Sequence, residues 1–351
     1  MDHVKVLKRA WHILWNYRAL WIFGIILALT TTSWAAERLY EYDGDRDGRR
    51  VVLELPQDMQ KELDELNELL NEGIPSGVKS TIIAVGIGLA CGILFLYLVT
   101  KIARYVSEAA LIRMVDDSEE TGEQHSVRQG LRMGWSRIAW RLFLIDLLIN
   151  IPVAVAFVLL FLVALAPLLL WATKSTPAGA IGTVAAIGLF FLSIFLVIIV
   201  SAVLSLLKRF FRRACAMDEL GVIESIRQGY AVVRQNLKDV GLMWLIMVGV
   251  SLGYQILIIP VVLLLVGIGA VLGGVPALMV GGLTTSLLGG ATPVLLALAV
   301  GIPIFLLVLV APLAFLGGLR EVFQSSSWTL TYRELRALED LDLVLDAPDP
   351  A

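Results

Sequence analysis

From Val240 to Leu319 the chain runs for 80 residues without one Asp, Glu, Lys or Arg. A spanning helix needs about 20 apolar residues to cross a hydrocarbon core of about 30 Å, and the core of a soluble domain has no use for several times that length. The stretch predicts an integral membrane protein of the all-α class, a polytopic bundle of helices. Composition agrees, since 58% of the residues are hydrophobic and 17% charged, where soluble domains carry about 45–50% and about 25%.

Hydropathy places six spans at about 19–36, 78–99, 142–171, 178–207, 240–266 and 293–319, within a single transmembrane domain over 1–340. The third and fourth are longer than a crossing requires, which predicts tilt, kinks at Pro152 and Pro167, or projection beyond the core. Eight glycines and a proline in Gly267–Ala291 lower its helix preference. That piece therefore reads as a connection between the last two spans, with a crossing, a re-entrant segment or a surface helix as alternatives. The hydrophilic stretch Glu37–Lys79 holds twelve acidic and six basic residues. Within it the leucines at 63, 66, 69 and 70 predict a short amphipathic helix in an extracytoplasmic insert, 37–77. The end, 341–351, reads as a disordered tail.

Basic residues orient the spans. Lys101–Arg141 and Lys208–Asp239 each hold seven Lys/Arg, and four more precede the first span. Such residues accumulate on the cytoplasmic side. Both segments and the N-terminus are expected in the cytoplasm, where the even number of spans also puts the acidic tail, and the protein in the plasma membrane.

An internal repeat accompanies this charge pattern. Ser126-Val-Arg-Gln-Gly-Leu131 recurs as Ser225-Ile-Arg-Gln-Gly-Tyr230, and each string follows an acidic patch and leads into a span. Near the start, Lys8-Arg9-Ala10-Trp11 leads to Asn16-Tyr-Arg18 much as Arg227-Gln-Gly-Tyr230 leads to Asn236-Leu-Lys238. Helical spacing puts Val127, Leu131, Trp135 and Ile138 on one apolar face, with Val222, Ile226, Tyr230, Val233 and Leu237 on another. A third face is formed by Val4, Leu7, Trp11 and Leu14. Three hairpins, each preceded by a cytoplasmic amphipathic helix, account for six spans.

With the terminal Trp328-Thr-Leu-Thr-Tyr332-Arg-Glu-Leu335, this pattern resembles a widespread group of bacterial multi-pass proteins. The group includes the membrane domain associated with glycerophosphoryl diester phosphodiesterases and related uncharacterised membrane families. The resemblance implies architecture and no activity. The largest hydrophilic stretch has 43 residues, far short of the roughly 200 that an eight-stranded α/β barrel occupies.

No catalytic set emerges from the remaining residues. Two cysteines and three scattered histidines (His3, His12, His125) exclude a disulfide framework and offer no cluster at metal-ligand spacing. Gly267-Ile-Gly-Ala-Val-Leu-Gly273 lacks the Lys-Ser/Thr of a phosphate loop and reads as small-residue packing. No enzyme, metal or cofactor is expected. Asp146, Asn150 and Gln255 are the polar candidates inside the spans. Asp146 reads as the partner of Arg137 or Arg141, with a proton or ion site as the sharper alternative. Arg128, Arg132, Arg137, Arg227, Arg234 and Lys238 form a candidate contact for anionic lipid headgroups or a partner protein. The expected role is non-enzymatic, at the cytoplasmic leaflet, with no nucleic acid involved and oligomerisation open. A transporter or permease for a small molecule or ion is the alternative.

Overall fold

The structure, a computed structural model, describes residues 1–31, 76–173, 176–285 and 292–345. Every regular element among them is helical. In chain order these are α1 (His3–Asn16), α2 (Ala19–Thr31), α3 (Ser76–Thr121), α4 (Val127–Gly134), α5 (Arg137–Leu165), α6 (Thr176–Met217), α7 (Val222–Gln235), α8 (Leu237–Thr285) and α9 (Thr292–Leu345). A short 3-10 segment, Ala166–Thr173, closes α5. Five helices are long and apolar enough to cross a membrane, and six crossings result if the pair α1 and α2, bent by 100°, counts as one. The amphipathic helix expected in the insert, and residues 32–36 of the first span, lie outside the described residues.

The helices divide into two units. The first comprises Met1–Phe23, Tyr105–Val248 and Val322–Ala351, and the second comprises Gly24–Arg104 and Gly249–Glu321. Helices α2, α3, α8 and α9 each have residues in both units.

In the first unit, the ends of α3 and α6 pack against the start of α5. Tyr105, Ala109 and Ile112 meet Ile138, Leu142 and Ile145, with Phe211, Cys215 and Ala216 completing the cluster. The far end of α9 brings in Trp328 and Tyr332, both buried. Phe210 meets the Trp328 ring edge-on, with centroids 5.8 Å apart. Aromatic pairs favour this edge-to-face geometry, in which the positive ring edge meets the negative face.

Capping starts the short helices. The Asp2 carboxylate accepts from the Lys5 N–H at 3.1 Å. Ser126 and Gln129 form a reciprocal capping box, in which the Ser126 N–H donates to Gln129 Oε1 at 2.7 Å. At α7 the Glu224 carboxylate reaches back to the Gly221 N–H. The helix begins at Val222, so Ser225 lies inside it, donating its hydroxyl to the Gly221 carbonyl at 2.7 Å. The serines of the two repeated strings therefore do different jobs.

Three boundaries differ from expectation for physical reasons. The second, fourth and sixth spans continue as helix to Thr121, Met217 and Leu345, where Arg333 of α9 reaches Asp116 of α3 and Tyr332 of α9 reaches Asp218 just after α6. Residues 341–345, expected in the tail, are helical. Pro152 lies inside α5, whereas Pro167 sits in the 3-10 segment that ends it.

The largest difference is at the glycine-rich piece, which is no connection: α8 runs through it to Thr285. Glycine costs a helix about 1 kcal/mol in water, but in lipid an unpaired backbone group costs several. Packing adds a second reason. A Cβ on Gly273 would sit 2.8 Å from the Gly301 carbonyl oxygen, and one on Gly301 would meet the Ala277 Cβ at 2.8 Å. Gly269 lies against the Phe305 ring, and Gly281 against Ala297. Small residues one turn apart let the backbones of α8 and α9 touch.

Gly301→Leu is therefore expected to destabilise this hairpin by about 1–3 kcal/mol through overpacking. Gly253→Leu, where nothing lies within 4 Å of the added Cβ, should leave the protein unchanged. Thermal unfolding of the purified protein in detergent compares the two.

Candidate functional site

The three short helices α1, α4 and α7 lie in the first unit, and each ends just before another helix, which is a long one after α4 and α7. Their last backbone turns leave the helical region at Tyr17, Trp135 and Asn236, and the next helix begins within three residues. The face each helix buries includes a small residue. Ala10, Gly130 and Gly229 are all buried. A Cβ on Gly229 would meet the Phe211 ring at 2.7 Å and the Phe210 backbone at 3.0 Å, and one on Gly130 would collide with Met114 and Phe23. Glycine at these positions is a demand of close approach to the ends of α6 and α3.

This corrects the amphipathic faces read from spacing. Leu131, Trp135, Tyr230, Leu237, Val4 and Trp11 are exposed, whereas Leu14, Ile138 and Val233 from the same faces are buried. Spacing located the bulky apolar residues but could not tell which would turn inward. The glycines decided that, because only they let a second helix come close.

The six basic candidates share one environment. Arg128, Arg132, Arg137, Arg227, Arg234 and Lys238 are all exposed, and no ion pair among the described residues includes any of them. Several of the acids around them are held by other cations. Arg9 pairs with Glu119, Arg333 with Asp116, and Arg113 with Glu219 at 2.8 Å. Tyr332 donates its hydroxyl to Asp218, which Arg336 also approaches at 3.9 Å. His125 lies 3.5 Å from Asp117.

Asp146 is paired, but with neither expected arginine. Arg212 of α6 grips both of its carboxylate oxygens, at 2.7 and 2.6 Å, and reaches Glu108 of α3 at 2.6 Å with its other terminal nitrogen. The Tyr105 hydroxyl donates to Asp146 at 2.9 Å. Side-chain exposures of 14% for Arg212, 15% for Glu108 and 8% for Asp146 make this a lock between three helices. Arg141 instead donates to the Glu219 and Leu220 carbonyls, and Arg137 is exposed. Asn150 is exposed and accepts from Lys208. Gln255 is exposed in the second unit, where its neighbour Tyr254 lies under the Arg320 guanidinium, 5.1 Å from the ring centroid.

Sequence reasoning missed Arg212 and Glu108. The available signal was two acids set among apolar neighbours in helices, since a carboxylate on a packed face calls for a cation. Arg213 was missed too. It is buried and donates to the Arg209 and Ser325 carbonyls. Tyr17 holds both sides of one residue: its hydroxyl donates to the His125 carbonyl at 3.0 Å and accepts from the His125 N–H at 2.6 Å. Burial pushes its phenol up to about 12, so it stays neutral. Among the described residues no three His, Cys, Asp or Glu side chains gather as a metal would require.

Fold and site together define an all-α polytopic membrane protein with three basic surface helices. Residues 18–343 match the family described as a family of unknown function (DUF7544), and the chain belongs to that family. No curated protein and no solved structure matches the chain.

Removing Arg212 strands two buried carboxylates. Arg212→Met is expected to destabilise the protein by about 3–5 kcal/mol, whereas Arg128→Ala on the surface should change stability by less than about 0.5 kcal/mol. Thermal unfolding in detergent measures both.

Proposed function

We propose that the protein is a non-enzymatic membrane organiser, whose three surface helices lie on the cytoplasmic leaflet of the plasma membrane and gather anionic lipid. One observation carries this reading: the charges are segregated. Asp116, Glu119 and Glu219 near the surface helices are tied to arginines and Glu224 is engaged in capping α7, while six cations remain exposed and outside any ion pair among the described residues. A cation near an anionic leaflet gains about 1 kcal/mol, and nearby unpaired carboxylates would cancel much of that.

The 100° bend between α1 and α2 supports the placement. If α2 crosses the bilayer, α1 runs along its surface. The recurrence of a buried small residue in all three helices supports a threefold repeated unit of surface helix and hairpin. Both termini then lie in the cytoplasm. The resemblance to the membrane domain associated with bacterial glycerophosphoryl diester phosphodiesterases belongs to this reading and implies architecture alone.

The test uses the full chain in bilayers that mix a zwitterionic lipid with a fluorescent anionic one. Tryptophan-to-lipid energy transfer should report enrichment of the anionic lipid around the wild type. Replacing Arg128, Arg132, Arg227 and Arg234 by Glu should abolish that enrichment without shifting the thermal midpoint. Unchanged enrichment in the variant would sink the proposal. Ion or solute flux from vesicles carrying the wild type would return the transporter reading to the front. Single cysteines at Glu120 and Glu224, in a background lacking Cys91 and Cys215, should resist an impermeant thiol reagent in intact cells. They should label once the cells are opened.

A further inference from the structure

The exposed faces carry more than charge. In each surface helix the residue just after the buried small one is bulky, apolar and half-exposed: Trp11 at 55%, Leu131 at 49% and Tyr230 at 52%. Three residues before each stands an exposed cation, Lys8, Arg128 or Arg227. Positions three apart in a helix are neighbours on one face, so each helix presents a cation and an apolar anchor side by side. One turn further on, α1 adds Trp15 and α4 adds Trp135, both exposed, whereas α7 adds Arg234.

Water penalises that combination and a headgroup layer favours it, because the apolar side chain sinks to the acyl boundary while the cation stays among the phosphates. All three helices belong to one compact unit, so the anchors enter the same leaflet. Each helix is also joined to the next one within three residues, which limits how far it can lift away.

Resting on the lipid-docking reading above, we infer that the protein is a one-leaflet wedge. Its anchors occupy area in the cytoplasmic leaflet alone, between loosely packed anionic glycerophospholipids. The protein therefore concentrates where that leaflet is convex. Three anchored wedges on one side of a membrane add area there without adding any opposite. Relief of lipid-packing stress then drives the protein toward curved membrane, and anionic headgroups set how strongly it holds.

The experiment reconstitutes the full-length, fluorescently labelled protein in giant vesicles, with the surface helices outward and inward-facing copies quenched. A narrow tube is pulled from each vesicle, and protein density on the tube is compared with density on the flat membrane. The wild type should be enriched several-fold on the tube. The triple variant Trp11→Ser, Leu131→Ser, Tyr230→Ser should bring that ratio to one. Its substitutions lie on exposed positions, and an unshifted thermal midpoint would verify that it folds.

Wild-type anionic-lipid enrichment with a tube ratio of one overturns the wedge and leaves the lipid-docking reading standing. Loss of both overturns both. Enrichment that survives in the triple variant overturns the assignment to these three anchors.

Discussion

Arg212 closes the first unit. Its two terminal nitrogens hold a carboxylate from α3 and another from α5, so one guanidinium on α6 fixes the relative positions of three helices. Charge-assisted hydrogen bonds of this kind are short and directional, and a planar guanidinium permits few arrangements of its partners. The apolar cluster that includes Tyr105, Leu142 and Phe211 packs among the same three helices, and non-directional burial alone would tolerate several registers. The surface helices depend on that register. α7 lays Gly229 against Phe210 and Phe211, two residues and one residue before Arg212, and α4 lays Gly130 against Met114, further along α3.

Much of this was legible in the residues. The uncharged 80-residue run, the basic segments and the repeated Arg-Gln-Gly string announce a bundle of hairpins with short helices before the spans. Gly267–Ala291 misled because helix propensity is a property of chains in water. There glycine's unfolded alternatives are solvated, whereas in lipid they are not. A residue scale cannot register that Gly273 and Gly301 face each other across a helix pair.

The apolar faces were half legible. Periodicity reports that Leu131, Trp135 and Ile138 share a helix stripe, but it is silent on what the stripe faces. The helix breaks at Trp135, so Ile138 begins the next helix and packs into the cluster with Tyr105 and Leu142, while Leu131 and Trp135 stayed outside. Pairing was the least legible feature. The sequence neighbours Arg137 and Arg141 were natural partners for Asp146, yet the partner came from a helix 66 residues away. Linear distance is a poor guide to pairing in a hairpin bundle.

The Tyr17 hydroxyl, finally, binds both the N–H and the C=O of His125. Two hydrogen bonds to one peptide segment act as a stiff hinge pin, since neither can slide without straining the other. His125 immediately precedes Ser126, which caps α4, and Tyr17 is the elbow that ends α1. Any tilt of the first surface helix is therefore transmitted to the start of the second. The two respond to their surroundings cooperatively, although more than a hundred residues separate them along the chain.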